Sequence, residues 1–204
     1  MGHGWRTASA TVLAFGLTGG AAAETRPSIA VVVHNQSAVS DDCIARAKAD
    51  VVRIYGDAGV DVLWMDPAMV MPVPTFTIRL LIRPRPIEAQ GRIMGTAIGA
   101  THDTSGSAFV FYQEVLKTAH DRQQDVARVL AYAMAHEMGH LMLPAPAHAA
   151  SGIMRADWNG DDFRHIADGS LAFTPEQARA IQTKVVVAAQ SPIPNPQSPF
   201  LESH

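Results

Sequence analysis

The run His136-Glu137-Met138-Gly139-His140 constrains this chain more than any other feature of its sequence. Apolar residues flank the run on both sides, which predicts that it lies on a largely buried helix. Residues four positions apart share one face of a helix, so His136 and His140 can present two imidazole nitrogens to one metal ion. Glu137 lies beside that face, where a carboxylate can accept a proton from water. The spacing therefore predicts a metal, a general base and a hydrolytic reaction.

The flanking sequence bears on the kind of metal site. The alternative interpretation is a helix with two surface histidines, and the apolar flanks disfavour it because unpaired buried polar groups cost free energy. A structural zinc has four protein ligands, commonly cysteines, whereas the chain has one cysteine, Cys43, far from the motif. The sequence therefore favours a catalytic zinc, which has three protein ligands and one open position.

Residues 136–158 resemble the active-site region of metzincin-type zinc metalloproteases, the matrixin-like ones in particular. The first five of these residues match the start of the H-E-x-x-H-x-x-G-x-x-H pattern, and Gly139 matches its H-E-x-G-H variant. The run Ser151-Gly152-Ile153-Met154 resembles the Met-turn of that family. The resemblance implies that Met154 forms an apolar floor under the metal.

The chain departs from the family pattern after His140. The pattern's glycine falls on Leu143 and its third histidine falls on Pro146. Pro144 can end the helix by another route, because a proline disfavours helical geometry in the residue before it. A longer loop could then bring His148 to the metal as the third ligand. The resemblance thus implies a divergent metzincin-like site with a rearranged loop.

Other residues compete for a place at the metal. Gluzincins complete their site with a glutamate on a later helix, which here would be Glu176. That residue also suits the first turn of a predicted helix capped by Thr174, so we favour His148. His102 and Asp103 could bind a second, structural ion, as such loops do in matrixins, although a solvated loop is the simpler interpretation.

The segment after Met154 is rich in charge. Arg155 could steady a developing oxyanion or pair with Asp157. Four residues of this segment are weaker ligand candidates: Asp157, Asp161, Asp162 and His165. The acidic ones are expected to form a solvated loop.

The predicted elements follow an α+β order. Strands are predicted at 28–34, 60–65, 76–82, 95–100 and 108–112, and helices at 41–55, 121–143 and 177–189. Metzincin-like catalytic domains have this order, with a twisted mixed sheet packed on a long H-E-x-x-H helix, a Met-turn and a C-terminal helix. The resemblance implies that one strand lines the cleft, and residues 108–112 are our candidate, with a plain core strand as the alternative.

The ends of the chain differ in composition from its middle. Residues 1–23 have the pattern of a secretory signal peptide, with Arg6, an apolar stretch and Ala21-Ala22-Ala23 as the cleavage signal. Residues 24–190 are expected to form the catalytic domain and 191–204 a proline-rich flexible tail. We therefore expect export to the periplasm or the medium, with no membrane span after removal of the signal.

Charge restricts the partners. The formal charge is −3, and removal of Arg6 leaves 15 basic against 19 acidic residues, or −4. This mild charge does not indicate nucleic acid as a partner, and it indicates no oligomeric state. The expected protein is an exported zinc-dependent metallopeptidase that acts on peptides or proteins. Two alternatives remain, a non-catalytic metal-binding zincin-fold protein and a zinc hydrolase of a non-peptide amide.

Overall fold

A five-stranded mixed sheet lies at the centre of the fold, and the computed structural model describes residues 26–66, 76–84, 94–99 and 105–190. The strands are β1 (Ser28–Asn35), β2 (Asp61–Met65), β3 (Phe76–Arg83), β4 (Gly95–Gly99) and β5 (Ser105–Phe111). The helices are α1 (Asp41–Asp57), α2 (Tyr112–Asp121), α3 (Val126–Met142), α4 (Gly160–Asp168) and α5 (Pro175–Gln190). The α+β class predicted from the sequence is confirmed.

The strands are arranged in the order β2-β1-β3-β5-β4. All neighbouring pairs are parallel except β4 and β5, which run antiparallel. In β3, alternate residues from Phe76 to Ile82 are buried, as expected for a strand with one face on the core. Helices α1 and α3 pack against each other, and α3 also packs against β3, β4 and β5. The Tyr55 hydroxyl of α1 donates a hydrogen bond to the Ala135 carbonyl of α3 at 3.0 Å.

The prediction of one long helix from Asp121 to Leu143 is wrong at its beginning. Asp121 ends α2, and a short turn follows in which Gln123 adopts a positive φ of 52°. Asp125 then caps α3, since its side chain accepts a hydrogen bond from the Arg128 N–H at 3.0 Å. The predicted strand 108–112 is likewise shifted, since Tyr112 begins α2.

Three further helix ends bear on the sequence predictions. Helix α1 begins at Asp41 as predicted, and its cap is Ser40, whose hydroxyl accepts a hydrogen bond from the Cys43 N–H. Thr174 caps α5 as expected, with its hydroxyl accepting from the Gln177 N–H at 3.3 Å. The predicted solvated loop around Asp161 and Asp162 is wrong, because this segment is α4.

Helix α4 carries clear end signals. Asn159 and Asp162 form a reciprocal capping box at its start, and Gly169 has a left-handed φ of 82° just past its end. None of the helices among the described residues is long and apolar enough to cross a membrane. Residues 1–23, the loop of His102 and Asp103, and the tail 191–204 lie outside the described residues.

Candidate metal centre

The C-terminal half of α3 presents two histidines to the same point. His136 Nε2 and His140 Nε2 are 3.1 Å apart, and the two ring centroids are 4.8 Å apart. A tetrahedral ion with metal–nitrogen bonds of about 2.0–2.1 Å separates two ligand nitrogens by about 3.3 Å. The two imidazoles are therefore spaced as two ligands of one ion are.

A backbone carbonyl fixes the orientation of His136. His136 Nδ1 lies 2.8 Å from the Ile153 carbonyl oxygen. Because a carbonyl oxygen can only accept a hydrogen bond, Nδ1 must carry the proton. That proton position leaves Nε2 as a lone pair facing His140. Trp158 Nε1 donates to the same carbonyl at 3.0 Å. The chain thus holds His136 in the tautomer that a metal ligand requires.

His148 reaches the pair from the loop that follows α3. Its ring centroid lies 4.8 Å from that of His140 and 5.5 Å from that of His136. One ligand nitrogen from each of the three histidines lies within 4.8 Å of the others. The loop is held in place because the Ala149 N–H donates to the Met154 carbonyl at 2.9 Å. The three histidines are thus close enough to bind one metal ion.

Met154 lies directly against the helix that carries the histidines. It is fully buried, and a Cβ atom added to Gly139 would come within 2.6 Å of the Met154 sulfur. The same added atom would lie 3.2 Å from Phe173. Because Gly139 has no side chain, Met154 can pack against α3 next to His140. A larger residue at position 139 would occupy that space.

Glu137 faces the same cleft from beneath the edge strand β4. The residue is 5% exposed, and its side chain fills the space that a Cβ on Gly95 would occupy, 2.4 Å from the Glu137 Cγ. The cleft has a volume of about 510 Å³ and is lined by all three histidines, Glu137 and residues 94–97 of the β4 region. The base expected from the sequence thus shares a cavity with the three histidines.

Burial shifts the pKa values of these groups. It raises the pKa of Glu137 to about 8 and lowers the pKa of His136 to about 4. Burial, and to a smaller extent the neighbouring His148, also lowers the pKa of His140. Neutral imidazole is the form that binds a metal. A bound cation would favour the ionised form of Glu137 and so act against the effect of burial.

The competing ligands lie elsewhere. The Glu176 side chain is 75% exposed and pairs with Arg179 at 3.5 Å, so it is not part of the histidine cluster. His165 and Asp161 are exposed on α4, outside the cluster as well. The structure therefore brings His148, and not Glu176, to the pair on α3.

Arg155 and the acidic residues after it are arranged differently from the prediction. Arg155 Nε lies 3.2 Å from the carboxylate of Asp162, so its partner is not Asp157. Asp162 is buried rather than solvated, and it also accepts a hydrogen bond from the Asn159 N–H at 2.8 Å. Asp157 is exposed and lines the cleft.

The strand that lines the cleft is β4, and the prediction of residues 108–112 for this place is wrong. Strand β5 lies between β3 and β4, and its residues Ala108, Val110 and Phe111 belong to the core. Their apolar character is therefore that of an inner strand. Trp158 and Gly95 are the cleft residues that sequence reasoning missed. The sequence signals for these roles are an aromatic N–H donor four residues after Met154 and a glycine within a predicted strand.

Comparison with known proteins adds no relative. No protein-family model matches this chain, and no curated protein matches it significantly.

Proposed function

We propose that this chain is an exported zinc-dependent metallopeptidase of the metzincin-like type. The observation that carries the proposal is the placement of three histidines and Glu137 in one cleft beside β4, an antiparallel edge strand of the sheet that the described residues form. The export part rests on the composition of residues 1–23 alone.

The donor set fits zinc. His136, His140 and His148 would hold the ion, because three neutral imidazole nitrogens with one open position are a common ligand set of catalytic zinc. No cysteine or carboxylate of the described residues joins the three histidines in the cluster, as a fourth ligand of a structural zinc would. When bound, zinc lowers the pKa of water toward neutrality and polarises a carbonyl.

Glu137 is the general base in this proposal. It accepts a proton from the attacking water at its carboxylate and returns the proton to the leaving amine. Its position supports this role, since its side chain lies under β4 and opens into the cleft that the histidines line. Met154, packed on Gly139, keeps the helix and the loop of His148 together and takes no chemical step.

The edge of β4 favours a peptide as the substrate. The Phe111 N–H donates to the Met94 carbonyl at 2.7 Å, so the residues that hydrogen-bond to β5 are Met94 and every second residue after it. The backbone groups of Gly95 and Ala97 therefore point to the outer edge, where no described strand pairs with them. An extended peptide can add there as a further strand and pass over Glu137. A non-peptide amide has no extended backbone that could form strand hydrogen bonds with this edge.

The proposal is tested by cleavage profiling of a peptide mixture with the zinc-loaded protein, read by mass spectrometry. Glu137→Gln is expected to bind zinc with unchanged stoichiometry and to lose activity roughly 10²- to 10⁴-fold, as expected when a general base is removed. Zinc content measured on the same samples separates loss of the base from loss of the metal.

Asp157→Asn is the matched control, because Asp157 is the other carboxylate among the described residues that line the cleft. It is expected to retain its cleavage rate within a few-fold. Cleavage by Glu137→Gln at the wild-type rate would remove Glu137 from the mechanism. Absence of any cleavage by zinc-bound wild type would favour a non-catalytic zincin-fold protein.

A further inference from the structure

One strong cation faces the histidine cleft. Of the described residues that line it, Arg155 is the only arginine or lysine. It lies where the cleft meets a second depression of about 400 Å³, formed by the Met-turn and α4. Its side chain is 30% exposed, so it remains accessible from solvent.

The fold holds Arg155 in place from two directions. Its Nε lies 3.2 Å from the Asp162 carboxylate, as an ion pair rather than a well-aligned hydrogen bond. Asp162 is itself fixed by the capping box at the start of α4. The main chain of Arg155 bridges to Ala149, the residue after His148, and its N–H donates to the Gly152 carbonyl at 3.1 Å.

This arrangement leaves the outer end of the guanidinium available. Within the described part of the chain, Asp162 is the only carboxylate within 4.0 Å of it, and the two terminal amino groups have no hydrogen-bond partner. These two groups form the fork that binds a carboxylate with two parallel hydrogen bonds. A fixed arginine with a free fork, next to the third histidine, is suited to a negatively charged group of the substrate.

We propose that Arg155 is a specificity-determining residue that binds a carboxylate of the substrate, so that the protein prefers an acidic group beside the bond it cleaves. The inference rests on the proposed function for the cleavage itself. The carboxylate has two possible sources, an acidic side chain or the C-terminus of the substrate. Both present the same chemistry to the guanidinium.

A binding measurement tests the proposal without requiring turnover. Four short peptide hydroxamates, with Glu or Gln next to the hydroxamate and with a free or amidated C-terminus, are titrated into the zinc-loaded protein by calorimetry. The hydroxamate binds the metal in all four, so differences in affinity report the carboxylates. Wild type is expected to bind one carboxylate form roughly 10- to 100-fold more tightly than its neutral partner, as charge-assisted hydrogen bonds imply. Which pair shows the difference identifies the source.

Arg155→Met is expected to reduce that preference to less than about twofold while the neutral probes keep their affinity. Because this variant leaves Asp162 buried without its cation, Arg155→Met combined with Asp162→Asn provides a second test with no unpaired charge. Arg155→Lys keeps the charge but not the fork and is expected to retain part of the preference.

The outcomes are distinct. No preference in wild type, or a preference that survives in both methionine variants, would overturn the proposal. An equal loss of affinity for all four probes in the methionine variants would also overturn it. Arg155 would then support the metal centre rather than bind a carboxylate of the substrate. If the preference follows Arg155 but no peptide is cleaved, the inference stands and the peptidase function fails.

Discussion

The two ends of α3 carry polar cavities of similar size in which the polar groups are paired differently. Near its start, Arg46, Asp50, Asp125 and Arg128 line a depression of about 580 Å³, which we term the ion-pair pocket. Near its end lies the histidine cleft, of about 510 Å³. Volume does not distinguish the two.

The difference lies in how the polar groups are paired. In the ion-pair pocket Arg46 pairs with Asp125, and Arg128 Nε lies 3.4 Å from Asp50. These charges neutralise one another, so the pocket needs no charged ligand to balance them. In the cleft one ligand nitrogen of each histidine lies within 4.8 Å of the others, and among the described residues no ion pair joins Glu137 to a cation. The comparison indicates that the pairing of the polar groups, and not the volume, distinguishes the two cavities.

The largest effect is expected from His148→Ala. Binding of structural zinc by four ligands is worth about 10–16 kcal/mol, so each ligand contributes about 2.5–4 kcal/mol, or roughly a hundred- to a thousandfold in affinity. Competition with a chelator measures the change. The variant is expected to fold, because the His148 side chain is exposed.

Glu176→Gln is the control for His148, because it removes the rival ligand predicted from the sequence. It is expected to bind zinc as wild type does. A large loss of affinity in Glu176→Gln, with none in His148→Ala, would show that the loop rearranges on metal binding and that the assignment of the third ligand is wrong.

A smaller effect is expected from Gly139→Ala, which tests the packing behind the cleft. The added methyl group would overlap the Met154 sulfur and crowd Phe173. Overpacking of a buried site costs about 1–3 kcal/mol, which exceeds the gain of up to about 1 kcal/mol from placing alanine in a helix. Chemical denaturation is expected to show a net loss of stability.

Gly56→Ala gives the matched comparison, because Gly56 lies near the end of α1 and an added Cβ meets nothing within 4 Å. At this position the added methyl group causes no overlap, so only the higher helix propensity of alanine changes the stability. The variant is expected to be more stable by up to about 1 kcal/mol. Equal gains at both glycines would show that Met154 does not constrain α3.

The sequence predicts the parts of the cleft that are local. The spacing of His136 and His140 along one helix places both rings on one face. A proline at residue 144 is enough to predict the end of α3. The sequence also contains the signals of α4, Asn159 at its start and Gly169 at its end, but the acidic residues between them favour a solvated loop.

The remaining features depend on contacts between distant segments. The break between α2 and α3 falls at Gln123, which is no helix breaker, so composition does not reveal it. The edge position of β4 comes from its antiparallel pairing with β5, which periodicity alone does not encode. The partnership of Arg155 with Asp162, rather than Asp157, follows from the capping box of α4.

Trp158→Phe tests how firmly His136 must be held, because it removes one hydrogen bond to the Ile153 carbonyl behind the cleft. Phenylalanine keeps most of the packing but cannot donate to the Ile153 carbonyl, so His136 is held less firmly. Groups that orient a ligand change metal affinity about 10- to 100-fold, and the lower value is expected because His136 keeps its own bond to the carbonyl. Zinc titration measures the change.

The control for Trp158 is Trp64→Phe. Trp64 Nε1 is buried and has no hydrogen-bond partner in the part of the chain that the structure describes, so its removal breaks no such bond. Zinc affinity is expected to stay unchanged. Equal losses in the two variants would attribute the effect to general loosening of the fold.

The smallest effect is expected in the ion-pair pocket, from Asp50→Asn. Asp50 is 20% exposed and pairs with both Arg53 and Arg128, so loss of its charge removes two partly screened ion pairs. The expected loss of stability is about 1–2 kcal/mol, measured by denaturation, whereas zinc affinity should not change.

Asp42→Asn is the matched control, since Asp42 is 81% exposed and its ion pair with Arg46, at 3.8 Å, should contribute less than about 0.5 kcal/mol. A change in zinc affinity on Asp50→Asn would mean that the two ends of α3 are coupled. The ion-pair pocket would then influence the cleft, and its role would no longer be limited to joining α1, α3 and α4.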